Sequence, residues 1–99
     1  MFRHIVLLTF DDATSPADVD VIVERLEALP GLIPEIGRYV IGRDAGINEG
    51  NADLAVVADF DDVEGYLVYR DHPDHTTVIS ERIAPRLRAR NAIQFELTD

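Results

Sequence analysis

The stretch "YRDHPDHTTVIS", residues 69–80, sets a tyrosine and two histidines around a proline, and the only other histidine is His4. Imidazole, with an ordinary pKa near about 6.5, exchanges a proton close to neutral pH. A phenol beside it can donate a hydrogen bond to an oxygen that gains negative charge. Tyr69, His72, His75 and His4 therefore supply the parts of general acid–base chemistry, provided that the fold brings them together. A structural role is the alternative for each. A histidine beside a proline at a helix end caps backbone groups, and one on an apolar strand face can be a core residue with a single satisfied hydrogen bond.

Other chemistries find little support. There is no cysteine, which removes disulfides, thiolate metal sites and thiol redox chemistry. The H-P-D-H run does not have the i, i+4 spacing of helical zinc sites, so no metal is expected from His72, His75 and His4. No Ser-His-Asp signature, Gly-rich phosphate loop or nucleotide fingerprint is present, and no cofactor is expected.

The elements that must position these residues follow from periodicity. "FRHIVLLTF" alternates as a strand, with Phe2, His4, Val6, Leu8 and Phe10 on one face and Ile5, Leu7 and Thr9 on the other. Ser15, Pro16 and Asp18 make a variant capping box, and Val19, Ile22, Val23, Leu26 and Leu29 give the apolar stripe of a helix that ends at Pro30-Gly31. "EIGRYVIGRD" reads as a second strand and "ADLAVVADF" as a third, joined by the polar, glycine-bearing "RDAGINEGN". Asp61 or Asp62 caps a second helix, which must end before Pro73 because the residue preceding proline avoids the helical region. Helix resumes from Pro73, with Val78, Ile79 and Ile83 inward, until Pro85 breaks it. "NAIQFELT" is the last strand, alternating Ile93, Phe95 and Leu97 against Gln94 and Glu96.

The order β-α-β-β-α-β predicts an α+β, ferredoxin-like antiparallel four-stranded sheet with its helices on one face. Strands one and three still carry Ile5, Leu7, Ala55 and Val57 on the opposite face. So large a bare apolar surface calls for a cover, and a second copy packed sheet to sheet is the economical one, giving a homodimeric α/β barrel.

Ninety-nine residues make one domain, 1–99. A net charge of -10 argues against nucleic-acid partners and anionic membrane surfaces. The local basic stretch "RIAPRLRAR" has no interleaved aromatics to stack bases and reads as a solvated helix face paired with the surplus acids. No apolar run is long enough to cross a bilayer, and "MFRHIVLLTFDD" lacks the flanks of a secretory signal, so a cytoplasmic location is expected.

"HIVLLTF", "LPGLIPEIGRYVIGRD" and above all "DFDDVEGYLVYRDHPDH", with its Tyr-x-x-His-Pro-x-His run, resemble the stress-responsive α/β-barrel (Dabb) family over essentially the whole chain. The resemblance implies a homodimeric barrel. It implies less about activity: most members have no established reaction, one plant branch is a polyketide cyclase that closes rings by aldol chemistry with a histidine–tyrosine pair, and cofactor-free monooxygenases use similar barrels. Matched by motif, the histidine of the first strand falls on His4, the helix tyrosine on Tyr69 and the last histidine of the run on His75. The enzyme branch has a further histidine on strand three, where this chain has Leu54.

On that basis His75 is expected to abstract a proton α to a carbonyl, Tyr69 to stabilise the developing oxyanion, and His4 to hold the substrate or assist. Glu96 is a candidate to orient His75. Phe2, Leu54, Tyr66 and His72 are expected to contribute to the substrate wall, around a small hydrophobic carbonyl-type ligand, although His72 also reads as a helix cap. Whether the protein binds such a ligand only or also turns it over, as a cofactor-free cyclase, lyase or monooxygenase-like enzyme, is left open by the residues themselves.

Overall fold

β-Branched, aromatic and leucine side chains alternate over residues 2–10, and in the computed structural model, which describes residues 1–98, they form strand β1 (Phe2–Phe10). With β2 (Arg38–Arg43), β3 (Leu54–Phe60) and β4 (Leu87–Glu96) it builds one antiparallel sheet in the spatial order β2-β3-β1-β4. Helices α1 (Pro16–Glu27), α2 (Val63–Asp71) and α3 (Pro73–Val78) cover one face. This is the ferredoxin-like α+β architecture that the element order predicts.

Local signals fix where the helices begin. At α1 the Ser15 hydroxyl accepts from the Asp18 amide at 3.1 Å, the Asp18 carboxylate accepts from the Ser15 amide at 2.9 Å, and Pro16 opens the first turn. Asp62 caps α2 by accepting from the Gly65 amide at 2.9 Å. The break between α2 and α3 falls on His72, held extended (ψ 133°) before Pro73. In the β2–β3 connection Asp44 accepts from the Gly46 amide at 3.1 Å and the Asn51 side chain at 3.0 Å, while Gly46 and Gly50 adopt positive φ.

The chain after α3 departs from the expectation of a helix carrying the arginines. It makes one wide turn over Ile79–Ile83 and a tight one over Ala84–Arg86, then enters β4 at Leu87, well before Asn91. Arg88 and Arg90 therefore lie on an edge strand. The ladder to β1 decides this: the Asp11 amide donates to the Arg86 carbonyl at 2.8 Å and Leu87 pairs with Phe10, outweighing the helix propensity of "RLRAR". Pairing with acids is found at two of these arginines, Arg88 with Asp12 at 2.7 Å and Arg86 with Asp18 at 3.8 Å. A bulge where Thr9 and Phe10 meet β4 puts both Leu87 and Arg90 on the helix side, a pairing that strict alternation would forbid.

Between sheet and helices, Leu8, Ile22, Leu26, Val56 and Phe60 form a buried core. Among the described residues nothing packs over the opposite sheet face. Leu7 (41% exposed), Val40 (42%), Ile93 (57%) and Phe95 (38%) all project there, beside Ile5 and Val57. On the same face Arg3 grips the buried Asp59 of β3 with two bonds, 2.7 and 2.8 Å. That fork holds the Asp59 carboxyl below its ordinary range.

Candidate functional site

His4, Tyr66, Tyr69 and His75 come together although 71 positions separate the first from the last. The strand alternation of β1 turns His4 toward the helices, between Ala58 on β3 and Gln94 on β4. Three-residue spacing on α2 puts Tyr66 and Tyr69 on one face, and both rings pack on Phe60, at centroid distances of 5.8 and 5.3 Å. The turn at His72-Pro73 folds α3 back so that the His75 ring stacks on Tyr69, with centroids 4.0 Å apart and planes 28° apart. His4 lies 5.0 Å from the Tyr66 ring and 6.1 Å from Tyr69. His4, Tyr69 and His75 are only 4, 2 and 8% exposed.

These rings wall a cavity of about 160 Å³. Its remaining lining is largely aliphatic, including Val6, Leu26, Val56, Ile79, Ile83 and Leu87, with Arg70 and Arg90 beside the histidines. The wide turn is what brings Ile79 and Ile83 to this wall.

Burial sets the proton affinities. His4 is pushed down to about 4, first by desolvation, then by the positive charge of Arg90 and by His75. His75 is lowered as well, again chiefly by desolvation, and hydrogen bonds to the backbone carbonyls only partly offset this. Both are neutral near pH 7. The His75 Nδ1 lies 3.2 Å from the Arg70 carbonyl, which can only accept, so the ring's hydrogen sits on Nδ1 and the Nε2 lone pair is free. The Gln94 side-chain amide donates to His4 Nδ1 at 2.8 Å, which leaves the His4 hydrogen on Nε2.

Tyr69 is raised to about 12 by burial, so its phenol stays protonated. Its hydroxyl lies 2.9 Å from that of Tyr39 on β2; either can donate, and when Tyr39 does, the Tyr69 hydrogen is left for a ligand oxygen. Burial, with Tyr69 adding to it, also raises the Tyr39 phenol. The cluster thus contains a neutral base, a neutral hydroxyl donor and a second imidazole of opposite tautomer beside one small apolar space.

The other expected residues sit elsewhere. His72 Nδ1 accepts from the Asp74 amide at 3.1 Å and caps α3, outside the cavity lining. Leu54 is core, and Phe2 touches the site only through Tyr66, at 5.7 Å between ring centroids. Glu96 does not orient His75: it stands opposite Phe2 at the far end of β4, and the Arg70 carbonyl does the orienting. Arg90, Arg70, Tyr39 and Gln94 were not anticipated. Alternation could have paired Tyr39 with the helix side, but reading "RLRAR" as helix hid Arg90 from the same argument. Among the described residues no group of three or more histidines, cysteines and acids is arranged to hold a metal ion, and no helix is long and apolar enough to cross a membrane.

No curated protein matches the chain. Among solved structures it is similar to a dimeric ferredoxin-like protein of unknown function from Thermobifida fusca YX, at 44% identity and a TM-score of 0.89, over 97% of this chain and 90% of that one. A dimeric protein of unknown function with a ferredoxin-like fold from Bacteroides fragilis NCTC 9343 matches at 26% identity and a TM-score of 0.81, over 97% and 95%. The hydroxynitrile lyase of Passiflora edulis shares the fold, at 20% identity and a TM-score of 0.87, over 99% and 94%. The family model for the stress responsive A/B barrel domain, Dabb, matches residues 2–97, so nearly every residue that builds the sheet, the helices and the cavity falls within it, and the chain belongs to that family.

Proposed function

We propose that this protein is a homodimer, closed through the bare sheet face, whose helix-covered cavity binds a small, largely apolar carbonyl compound. One observation carries the ligand reading: an apolar cavity of about 160 Å³ has a neutral imidazole acceptor and a protonated phenol in its wall. Size limits the guest. An engineered cavity of about 150 Å³ holds benzene, so a single ring with a short substituent fits and an extended polyketide chain does not. The dimer reading rests on the exposed Leu7, Val40, Ile93 and Phe95, and the Thermobifida and Bacteroides proteins, described as dimeric, support it.

The locked tautomer of His75 favours a second reading in which the site also catalyses proton transfer without a cofactor. His75 Nε2 takes the proton from the carbon next to the carbonyl, the C–H electrons pass into an enolate, and the Tyr69 hydroxyl donates to the enolate oxygen. His4, neutral and carrying its hydrogen on Nε2, is a second donor in reach of the same space. Aldol closure and reaction with oxygen would both start from this enolate.

Acetophenone in deuterated buffer tests both readings. Chemical-shift changes at His4, Tyr69 and His75 are expected on binding, with deuterium appearing in its methyl group, and His75→Ala should abolish the exchange while the ketone still binds. Binding without exchange would retire the catalytic reading alone. Absence of binding at millimolar ketone would retire both.

A further inference from the structure

The chain carries nineteen acidic side chains against nine arginines, yet among the described residues the cavity wall contains two arginines and no carboxylate. Arg70 is engaged through Nε and a terminal nitrogen by Asp71, at 2.9 and 3.0 Å. Arg90 is different. Among the described residues no acid pairs with it, although Arg88, two positions earlier, has Asp12 at 2.7 Å. The regular β1–β4 register places Arg90 opposite Leu8, on the helix side, at the same cavity as His4, Tyr69 and His75. A guanidinium offers a planar fork of donors that matches a carboxylate.

From this the geometry points to a carboxylate-recognition site at Arg90: the small carbonyl compound that fills the cavity is an anion, an apolar oxo acid whose carboxylate pairs with the Arg90 guanidinium. The inference rests on the ligand reading above and narrows it to a substrate class. Arg90 sits on an exposed edge strand, where solvent hydrates it until a ligand arrives. The depressed proton affinity of His4, to which Arg90 contributes, fits the same arrangement, because a bound anion would offset that charge. The excess of negative charge elsewhere would otherwise repel such a ligand, so a local cationic wall is needed for it to enter.

The test compares phenylglyoxylate with phenylglyoxylamide, nearly equal in shape and differing in charge, by following the His4 and His75 ring resonances during titration. The native protein should bind the acid about tenfold or more tightly than the amide, with the difference shrinking as salt rises. Arg90→Gln should remove the preference, weakening the acid at least about tenfold more than the amide, and Arg88→Gln should keep the preference. The His4 resonance should also titrate at higher pH with the acid bound. Equal binding of acid and amide, or a preference that survives Arg90→Gln, overturns the inference and leaves the cavity reading standing. If neither compound binds and acetophenone also fails, the cavity reading falls, and this inference with it.

Discussion

Protonating His4 should destabilise the fold, and the size of that effect follows from its surroundings. Its ring is buried on the helix side of β1 and its proton affinity falls to about 4, from about 6.5 in the unfolded chain. Because the folded value is the lower one, the unfolded state binds more protons between the two values. Stability is therefore full above pH 6.5 and drops as pH falls toward 4. At pH 4.5 the linkage relation gives a loss of about 2.5 kcal/mol, which solvent at the cavity mouth would trim to roughly 2. Urea unfolding of the native protein and of His4→Gln, at pH 7.5, 6 and 4.5, isolates this contribution. Carboxylates such as Asp59 and Asp18, whose values are lowered, stabilise the fold above their unfolded values and lose that contribution as pH falls further. They act alike in both proteins and cancel in the difference. The native protein should lose about 2 kcal/mol more than the variant across this range. Parallel losses would refute the argument that His4 is held neutral by burial.

Three further perturbations probe separate parts of the structure. Tyr39→Phe removes the hydroxyl 2.9 Å from Tyr69 and should cost about 1 kcal/mol in urea unfolding; because that bond lowers the Tyr69 proton affinity, alkaline spectrophotometric titration should find Tyr69 ionising at still higher pH. Ile93→Asp puts a charge in the bare sheet face, and sedimentation should show a single chain where the native protein sediments as two; an unchanged dimer would move the interface elsewhere. His72→Ala deletes the cap on the Asp74 amide and should lower stability by about 1 kcal/mol with no change in ketone binding. Weakened binding there would return His72 to the ligand wall.

Local rules made much of this architecture readable. Ser15, Pro16 and Asp18 announce α1 because a capping box is a contact between neighbours in sequence. Pro73 likewise ends α2 through a clash with the residue before it. The alternation in β1 separates His4 and Leu8 from Ile5 and Leu7, and the bare face follows from it. What escaped was set by pairing across the sheet. The bond from Gln94 to His4 needs the β1–β4 register, and the Tyr39–Tyr69 contact needs β2 to dock beside β3 and under α2; neither leaves a mark within one segment. Arg90 was hidden by a conflict between levels, since "RLRAR" favours helix locally and is drawn into strand by β1. The partner that orients His75 is a backbone carbonyl, which every residue has, so residue types alone could not single out Arg70 over Glu96.

A crystal structure with acetophenone bound addresses the central claim most directly. The aryl ring should lie among Leu26, Ile79 and Ile83, the ketone oxygen within hydrogen-bond reach of the Tyr69 hydroxyl, and the methyl carbon beside His75 Nε2. A ketone found only outside this cavity, or a His75 ring turned so that Nε2 faces the Arg70 carbonyl, would contradict it.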